Sequence, residues 1–370
     1  MRIDVVDPSA YAPHYDHGLC RALARAGAEV RLVTSDFRYG PVPQADGYEV
    51  ERAFYRRAAN SRRRRLRRVA KLAQHPADMA RYQRLARAAD VVHFQWFAVE
   101  PLDVALRPRG RPTVMTAHLV MPLRCSRLQA VARRRLYQSV DAIVVHTRQA
   151  HARLTGELGI DPAKVEVIRH GAIDHLAAME GAAPLPGELA AVEGPVVLCF
   201  GILRPDHAVD VLMEAWKGVT GAELWVVGPP QMPIDALVRD APANVRFVPR
   251  FITDREIAAF FNRADVVAMP YRTMESSGVL ATALAFGKPI VGTPVGAFAD
   301  LGPMGAAELV PLEDPDALRA ALVRLIEDED ARARLAAAAR EAARGEWSWD
   351  TIAAQTLNLY GRVLRESVGR

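Results

Sequence analysis

Short apolar runs rich in β-branched residues alternate with amphipathic helical stretches through the first half of the chain. Strands separated by helices in this way predict right-handed βαβ units and a parallel sheet that is covered on both faces. The predicted strands are residues 2–7, 29–35, 90–96, 112–118, 141–147 and 164–171. We therefore predict a Rossmann-like, doubly wound α/β domain over residues 1–180.

A segment of Gly, Pro and small residues at 177–195 interrupts this pattern, and its composition is typical of a linker. The alternation then starts again, with predicted strands at 195–201, 222–228, 244–250, 264–271, 289–296 and 306–312. This series predicts a second doubly wound parallel sheet over residues 190–348. We expect the two domains to face each other across a deep cleft, and the amphipathic helix at 349–370 to cross back onto the first domain.

The composition is that of a globular protein, because the 370-residue chain is half apolar and one quarter charged. The N-terminal stretch lacks the basic flank of a signal peptide, and no apolar run reaches the roughly 18 residues of a membrane span, so we expect a cytoplasmic protein. Cys20, Cys125 and Cys199 are far apart and form no C-x-x-C motif, so we expect neither a disulfide framework nor a metal site. Arginine supplies most of the positive charge, since lysine occurs only at positions 71, 164, 217 and 288.

The loop after the predicted strand at 264–271 carries candidate chemistry, because ligands of open α/β sheets bind beyond the carboxyl ends of the strands. Ser276, Ser277 and Gly278 are expected to form the first turn of a helix, whose free N–H groups and positive dipole end attract an anion such as phosphate. Glu275 stands beside them and can accept hydrogen bonds from sugar hydroxyls. The stretch predicts a ligand that is part phosphate and part polyol; the alternative is that Glu275 only caps the helix.

The stretch ADVVAMPYRTMESSGVLATALAFGKPIVGTPVG, residues 264–296, resembles the donor domain of the family 4 retaining glycosyltransferases, which have the GT-B fold. In the family pattern E-x7-E, Glu275 supplies the first glutamate and Ala283 stands at the second. The resemblance implies that a hexosyl-type sugar is transferred, with retention, from a UDP- or GDP-linked nucleotide sugar to a hydroxyl acceptor. It implies a catalytic role for Glu275 and no metal or other cofactor.

The same resemblance covers the loop after the strand at 195–201, where the family has a basic pair, G-R-x-x-x-x-K-G, that grips the pyrophosphate. Here Ile202 stands at the arginine position and His207 at the lysine position, and Arg204 is a candidate for the missing charge. If His207 takes the part of the lysine, it must be protonated. The donor-binding residues that the resemblance implies are Gly201, Arg204, His207, Gly228, Ser276, Ser277, Gly278 and Val279.

In the first half, TVMTAHLVMP resembles the family's T-x-H-D segment, which implies a catalytic position for His118 beside the transferring sugar, with Leu119 in place of the aspartate. His170 and Gly171 match a hinge segment. Residues 7–18 stand where the family has a loop that closes over the donor, and we expect Tyr15, Asp16 and His17 to act there on closure or acceptor binding. The alternative is that Asp16 and His17 are a helix N-cap and its neighbour.

Two other functions stay open on the sequence. A nucleotide-sugar epimerase or a phosphorylase uses the same scaffold, since a fold does not fix a function. A non-catalytic relative of the glycosyltransferases is the second alternative, because Ile202, His207, Leu119 and Ala283 depart from the family pattern.

Seven basic residues lie between Arg62 and Lys71, and Leu66, Val69 and Leu72 recur among them at helical spacing. Aromatic residues for base stacking are missing from this run, so we predict no nucleic-acid partner. One interpretation is a solvated helix face in an arginine-rich protein. The other is contact of residues 61–75 with an anionic membrane surface, as in family members that use lipid-linked acceptors; a sugar, a lipid-linked sugar or a small molecule are all candidate acceptors.

Overall fold

The structure is a computed structural model, and it describes residues 1–57, 64–122 and 125–368. The chain folds into two compact units. The first unit is Met1–Gly171 together with Trp349–Arg370, and the second unit is Ala172–Ser348.

The first unit is built on a seven-stranded parallel sheet with the order β3-β2-β1-β4-β5-β6-β7. Its strands are β1 (Arg2–Asp7), β2 (Glu29–Thr34), β3 (Glu49–Arg52), β4 (Val91–Phe94), β5 (Thr113–Thr116), β6 (Ala142–Val145) and β7 (Val165–Val167). Its helices are α1 (Pro13–Arg25), α2 (Arg64–Leu85), α3 (Glu100–Leu106), α4 (Arg127–Ser139), α5 (Arg148–Ala152) and the C-terminal α15 (Trp349–Val368).

Successive residues of each strand point to opposite faces of this sheet, so the apolar strands build two cores. Ile3 and Val5 pack with α1 and α15 on one face. Val6 and Phe94 pack with α2 and α4 on the other face. The edge strand β3 was not predicted from the sequence, because an exposed edge strand such as EVER does not carry an apolar run.

The second unit is built on a six-stranded parallel sheet with the order β10-β9-β8-β11-β12-β13. Its strands are β8 (Val196–Phe200), β9 (Glu223–Val227), β10 (Val245–Val248), β11 (Val266–Met269), β12 (Ile290–Gly292) and β13 (Glu308–Leu309). Its helices are α6 (Asp174–Ala177), α7 (Gly187–Ala190), α8 (Val209–Trp216), α9 (Asp235–Arg239), α10 (Asp254–Arg263), α11 (Gly278–Ala285), α12 (Phe298–Leu301), α13 (Pro315–Glu327) and α14 (Glu329–Arg344).

The two faces of the second sheet are again apolar. Leu198 and Met269 pack with α10, α11 and α14 on one face, and Val197 and Ala268 pack with α8 and α13 on the other. Several of these helices begin at side-chain caps that the sequence encodes locally. Thr253 forms a capping box with Glu256 at α10.

The boundary between the units differs from the predicted one. The chain leaves the first unit after Gly171, not at 180–190, and the second unit includes the segment 177–195 that was predicted as a linker. Leu189 of α7 is buried in the core of the second unit, so this Gly- and Pro-rich segment packs on that unit and is not a linker. The helix α15 packs on α1 in the first unit, with Ile352 and Tyr360 buried.

Each sheet has one point where the strand order reverses. In the first unit this switch point lies between β1 and β4, and in the second unit it lies between β8 and β11. Loops that leave two such strands diverge to opposite faces and open a crevice at the carboxyl edge of the sheet. The loops after β1 and β4, and those after β8 and β11, are therefore the places to look for bound ligands.

Candidate functional site

In the second unit, the loops after β8 and β9 meet at two glycines that were predicted as donor-binding residues. Gly228 has a φ of +140°, and a Cβ atom there would overlap the backbone of Gly201. Gly201 has a φ of +117°, and its Cβ would lie 2.9 Å from Val279 at the start of α11. The backbone at the end of β8 approaches α11 closely, and a side chain at either position would fill this space, so both positions need glycine.

Arg204 and His207 follow Gly201 and form one hydrogen-bonded group. The Nη2 of Arg204 donates to Asp206 Oδ2 at 2.8 Å and contacts Nε2 of His207 at 3.1 Å. Because a guanidinium only donates, Nε2 of His207 accepts this bond and carries no proton. The buried Nε of Arg204 has no hydrogen-bond partner within the described parts of the chain. The Arg204 side chain as a whole is 44% exposed.

His207 does not replace the family's lysine as a cation. Burial and the Arg204 guanidinium lower the pKa of His207 to about 4, so the ring is neutral at pH 7. The ring also stacks on Tyr271, with 4.1 Å between centroids. In this neutral form the ring accepts a hydrogen bond from the Arg204 side chain and holds it in place.

Arg272 fixes the loop after β11 to the loop after β8. Its guanidinium forms ion pairs with Asp210 and Glu313, and it donates to the carbonyl of Pro205 at 2.6 Å. These hydrogen bonds raise the pKa of Arg272, which is thus a permanently charged structural residue. Two carboxylates compensate the charge of Arg272, whereas Arg204 pairs with one, Asp206.

The loop after β11 leads into α11, as the sequence predicts, but the helix begins at Gly278. Ser277 is the N-cap, and its hydroxyl accepts from the Leu280 N–H at 3.2 Å. Ser276 and Glu275 precede the cap, so the capping position is filled without Glu275. Gly278 is exposed and has room for a side chain, since a Cβ would meet only Ile173 at 3.9 Å. The first turn of α11 thus presents backbone N–H groups at an open surface.

Two residues of this site escaped the sequence analysis. Tyr271 supports His207, and its buried hydroxyl makes no hydrogen bond of ordinary geometry with the described residues. Gly296 has a φ of +53°, and a Cβ there would overlap the carbonyl group of Met274, just before Glu275. The glycine of the T-P-V-G segment was visible in the sequence, but its contact with the Glu275 loop depends on the fold.

In the first unit, the loop after β1 is short and is organised by Asp7. This buried carboxylate accepts from the N–H groups of Ser9, Tyr11 and Ala12, and Ala10 adopts the left-handed region with a φ of +50°. Such backbone conformations are rare for alanine and are concentrated at functional sites. Tyr11 is 61% exposed at the tip.

Tyr15, Asp16 and His17 lie in α1 and not in this loop, so the loop placement and the N-cap alternative are wrong, while their role in closure or acceptor binding stays a prediction. All three are buried in α1, whose N-cap is Ala12. Asp16 is hydrogen-bonded to Asp7, and burial together with the Asp7 charge raises the pKa of Asp16. His17 bonds to the Tyr48 hydroxyl. The helix α1 begins at Pro13, so it starts earlier in the chain than the sequence analysis predicted.

His118 follows β5 and belongs to a chain of neutral rings. His146 Nδ1 donates to the carbonyl of Ile168 at 2.9 Å, so its Nε2 accepts from His118 Nδ1 at 3.1 Å. His118 Nε2 is then an acceptor 3.2 Å from the Gln95 amide, so the amide is oriented with its NH2 group donating to this nitrogen. Burial lowers the pKa of His146 to about 3 and that of His118 well below its ordinary value. Tyr15 packs edge-on against His118 with 4.8 Å between centroids.

Gln95 and Trp96, directly after β4, are further candidate residues that the sequence analysis did not single out. Trp96 stacks on His118 at 5.1 Å, and Tyr11 packs against the edge of Trp96 at 5.4 Å. Trp96 Nε1 is buried and has no partner among the described residues. Aromatic faces with unpaired donors suit hydroxyl-rich ligands. Their position at the switch point, rather than a motif, identifies them.

Two absences concern the described residues only. Within residues 1–57, 64–122 and 125–368, no group of three or more His, Cys, Asp or Glu side chains is arranged to hold a metal ion. Over the same ranges, every helix is too short or too polar to cross a lipid bilayer.

Comparison with known proteins identifies the family. Residues 14–171 match the model of the glycosyl transferase 4-like domain, and residues 194–328 match the model of glycosyl transferases group 1. The chain belongs to the family 4 glycosyltransferases. It is a transferase by family, and its two parallel-sheet units have the GT-B fold.

Individual relatives of this glycosyltransferase are distant. A D-inositol 3-phosphate glycosyltransferase of Nocardioides sp. is 27% identical over 319 residues, which span 75% of this chain and 69% of the relative. A GDP-mannose:glycolipid 4-beta-D-mannosyltransferase of Xanthomonas campestris pv. campestris is 27% identical over 60% of this chain and 58% of its own length. The structure of Anabaena Alr3699/HepE in complex with UDP and glucose aligns with a TM-score of 0.71 at 18% identity, covering 98% of this chain and 99% of that one.

This glycosyltransferase differs from the family pattern at several positions, and the structure shows the surroundings of each. Ala283, at the second glutamate position, is fully buried in the apolar core of the second unit. Ile202, at the arginine position, is 38% exposed. Leu119 replaces the aspartate after His118, and its carbonyl accepts from Arg133 at 2.7 Å. The group around Arg204 is therefore the basic element left in the loop after β8.

Proposed function

We propose that this protein transfers a hexosyl-type sugar from a UDP- or GDP-linked nucleotide sugar to an acceptor hydroxyl, with retention of configuration and without a metal. One observation carries the proposal. Arg204, supported by His207 and Tyr271, lies at the same switch point as the open first turn of α11. This pair of positive groups suits the diphosphate of a nucleotide sugar. The Anabaena protein named above binds UDP and glucose, which agrees with such a donor.

In the proposed reaction, the bond between the sugar and the diphosphate breaks through an oxocarbenium-like transition state. The leaving diphosphate gains negative charge, which Arg204 and the N–H groups at the start of α11 stabilise. Glu275 accepts hydrogen bonds from the sugar hydroxyls and holds the sugar against the diphosphate. The acceptor hydroxyl attacks from the face that the diphosphate leaves, and a phosphate oxygen takes its proton. No pair of protein carboxyl groups is required as acid and base.

His118 has a supporting part in this scheme. Its ring is neutral at pH 7, and its two nitrogens bond to His146 and Gln95, so it supports the stacked Trp96 and does not act as an acid. Gln95 orients this ring, and Trp96 adds one unpaired donor next to it. We assign these three residues to sugar binding in the first unit.

Nucleotide binding is the first test. A thermal-shift screen against UDP, GDP, ADP and dTDP should raise the melting temperature with UDP or GDP, because a ligand of the native state stabilises it by mass action. Release of free nucleotide from nucleotide sugars is then measured with and without candidate acceptors. Release that an acceptor stimulates supports transfer, whereas donor binding without turnover over a broad acceptor panel would point to a non-catalytic relative.

The role of Glu275 is tested by Glu275→Gln, which keeps the shape of the side chain. The control is Glu329→Gln, which changes an exposed glutamate at the first turn of α14 in the same unit. We expect Glu275→Gln to lose transfer by about a hundredfold or more while the melting temperature stays unchanged, and Glu329→Gln to keep activity. Proton NMR of the first-formed product reads the anomeric configuration, and activity after EDTA treatment tests metal independence.

We also propose that α2 rests on an anionic membrane surface, which fits a lipid-linked acceptor and a peripheral location on the inner face of the membrane. Leu66, Val69 and Leu72 lie three residues apart on α2 and are 56%, 66% and 52% exposed. Arg62 and Arg63 lie outside the described residues. The Xanthomonas relative is named as acting on a glycolipid.

A second helix extends this surface. Leu128 and Val131 of α4 are 68% and 49% exposed, and α2 and α4 both pack on α3. Arg134 and Arg135, also on α4, are exposed. At about 1 kcal/mol for each basic residue near an anionic surface, several such contacts give reversible binding.

Co-sedimentation with phosphatidylglycerol vesicles tests the membrane proposal. We expect binding to these vesicles, weaker binding to neutral vesicles, and release at high salt. The variant Val69→Asp should bind less than Asp330→Ala, a control on the second unit. Equal recovery in the supernatant with both lipids would contradict the proposal and leave the basic segment as a solvated helix face.

A further inference from the structure

Two buried carboxyl groups contact each other beneath the loop after β1. Asp7 is the last residue of β1, Asp16 lies on α1, and the two side chains are hydrogen-bonded to each other. Both residues are almost completely buried. Two carboxyl groups in contact at a buried position cannot both be ionised, so the pair shares one proton.

The hydrogen bonds of the pair place this proton on Asp16. Asp7 accepts from the N–H groups of Ser9, Tyr11 and Ala12, which favour its charged form. The Oδ1 of Asp16 is buried and has no hydrogen-bond partner among the residues that the structure describes. An ionised Asp16 would leave this oxygen both charged and unsatisfied, whereas a protonated Asp16 donates from its other oxygen to Asp7.

The groups around the pair provide one positive charge, which acts on Asp7. Lys71 of α2 interacts with Asp7, and its ammonium lies 4.7 Å from the centroid of the Tyr55 ring. Burial raises the pKa of the other titratable groups near Asp16, which are therefore neutral at pH 7. They are Tyr15 and Cys20 of α1, Tyr48, which precedes β3, and Tyr360 of α15, which lies beside Tyr15 and Cys20. A negative charge on Asp16 is compensated by none of these four groups.

The loop above the pair is held in shape by Asp7. Ala10 has a φ of +50°, in the left-handed region that costs an ordinary residue about 1–2 kcal/mol. The residues on either side of it, Ser9 and Tyr11, both donate their N–H groups to the Asp7 carboxylate. The Tyr11 ring consequently lies at the tip of the loop, with 5.4 Å between its centroid and that of Trp96. The position of Tyr11 thus depends on the charged carboxylate of Asp7.

Loss of the Asp16 proton places a second negative charge in contact with Asp7. Both acids are fixed, because Asp7 belongs to the sheet and α1 packs in the apolar core of the first unit. The loop between them is free to move, since three of its residues reach the solvent. Opening of the loop lets water reach the two charges, and it breaks the hydrogen bonds that hold Tyr11 against Trp96.

We propose that Asp16 is a positioning residue of the acceptor site: its proton, donated to Asp7, keeps the loop of residues 8–12 closed, with Tyr11 against Trp96. The loop is closed below the folded-state pKa of Asp16 and opens as the pH rises through it. Affinity for the acceptor then falls, and donor binding in the second unit stays unchanged. The inference rests on the proposed function, because Trp96 belongs to the region that we assign to sugar binding.

Fluorine NMR follows the loop without either substrate. The full-length protein is labelled with 5-fluorotryptophan at its five tryptophans, and the Trp96 signal is assigned from Trp96→Phe. Between about pH 5 and about pH 9, the wild-type Trp96 signal should shift in a single transition as Tyr11 moves away. The Trp349 signal is the internal control for α1, because this ring packs 5.3 Å from Tyr15, and it should stay in place.

Three variants separate the proton from the fold. Asp16→Asn keeps a donor toward Asp7 at every pH, so its Trp96 signal should stay at the closed position. Asp7→Asn loses the carboxylate that organises the loop, so its Trp96 signal should stay at the open position. Asp46→Asn is the matched control, because it changes an exposed carboxyl group of the same unit, paired with Arg25, and it should titrate like the wild type. Melting temperatures at each pH check that the variants are folded.

Kinetics connect the loop to the acceptor. The acceptor used is the compound that stimulates nucleotide release in the screen described above. Its KM should rise by about fivefold across the NMR transition in the wild type, the loss typical of one aromatic contact, and should stay constant in Asp16→Asn. The KM of the nucleotide sugar should be the same in both proteins at each pH.

A wild-type Trp96 signal that stays in place over this pH range, or that shifts equally in Asp16→Asn, would overturn the inference. An acceptor KM with the same pH dependence in both proteins would do so as well. Sugar transfer by a protein whose Trp96 signal ignores Asp16 contradicts only this inference. A Trp96 signal that follows Asp16 in a protein that transfers no sugar contradicts only the proposed function.

Discussion

The ring of His207 lies flat on the ring of Tyr271, with 4.1 Å between centroids and 9° between planes. The stack joins the loop after β8 to the loop after β11, which are the two loops of the switch point in the second unit. It also fixes Nε2 of His207 as the acceptor for Arg204 at 3.1 Å. His207 stands at the position where the family has a lysine, but here it is a neutral ring that supports the Arg204 guanidinium.

Arg204→Ala should weaken binding of the nucleotide sugar by about tenfold. A charge-assisted contact is worth about 1.5–3 kcal/mol, and the 44% exposure of the side chain puts the effect at the lower end. Calorimetric titration with the donor measures it. Arg239→Ala, on α9 of the same unit and 71% exposed, is the control and should bind normally. Unchanged affinity in Arg204→Ala would remove this residue from the diphosphate site.

Donor binding should not depend on His207 titration between about pH 6 and about pH 8. The pKa of His207 is lowered to about 4, so the ring stays neutral throughout this range. A nucleotide sugar is the suitable probe, because its pyrophosphate does not titrate there. His207→Phe keeps the stack but loses the bond to Arg204, and we expect it to weaken binding at every pH alike. A wild-type affinity that falls as pH rises, and a flat profile in His207→Phe, would restore the protonated histidine.

The variants Gly278→Val and Gly296→Ala should have different effects, the first on donor binding and the second on stability. Gly278 has room for a side chain in the protein, so Gly278→Val should fold with an unchanged melting temperature yet lose donor binding at the first turn of α11. Gly296→Ala places a Cβ against the Met274 carbonyl at a positive φ, so it should lower the melting temperature. Thermal unfolding with and without UDP measures both effects. Normal donor binding by Gly278→Val would exclude the helix start from the site.

Asp16→Asn should stabilise the protein more at pH 8 than at pH 5. Asp7 accepts three backbone N–H groups that favour its charged form, so the shared proton resides on Asp16, and the pKa of Asp16 is raised in the folded state. The folded state then binds more protons than the unfolded state. This stabilisation is complete below the unfolded pKa of 3.8 and is lost as pH rises through the folded pKa.

Asparagine resembles the protonated acid at every pH, so the Asp16→Asn variant does not lose folding stability as the pH rises. Denaturant unfolding at several pH values measures the difference, and each unit of raised pKa corresponds to about 1.4 kcal/mol. Asp7→Asn is the contrasting variant and should destabilise the loop after β1, since an amide cannot accept from three N–H groups as a carboxylate does. Equal effects of Asp16→Asn at both pH values would show that the pair carries no shared proton.

The sequence by itself determined the α/β class, twelve of the strand positions and the place of the loops after β8 and β11. Buried parallel strands are read as apolar runs whatever their neighbours are, and the Glu275 to Gly278 stretch precedes a helix because of its local residue types. The sequence also located Arg204 and His207 on one loop.

Tertiary structure alone decided what these residues do. The protonation of His207 depends on burial and on the nearby Arg204 guanidinium, and the partnership of Asp7 with Asp16 depends on how α1 packs on β1. Lys71 reads in the sequence as part of a basic run, but its place over Tyr55 results from a strained turn that follows an edge strand. Charge state and contact arise from distances across the fold, and a linear pattern carries no information about them.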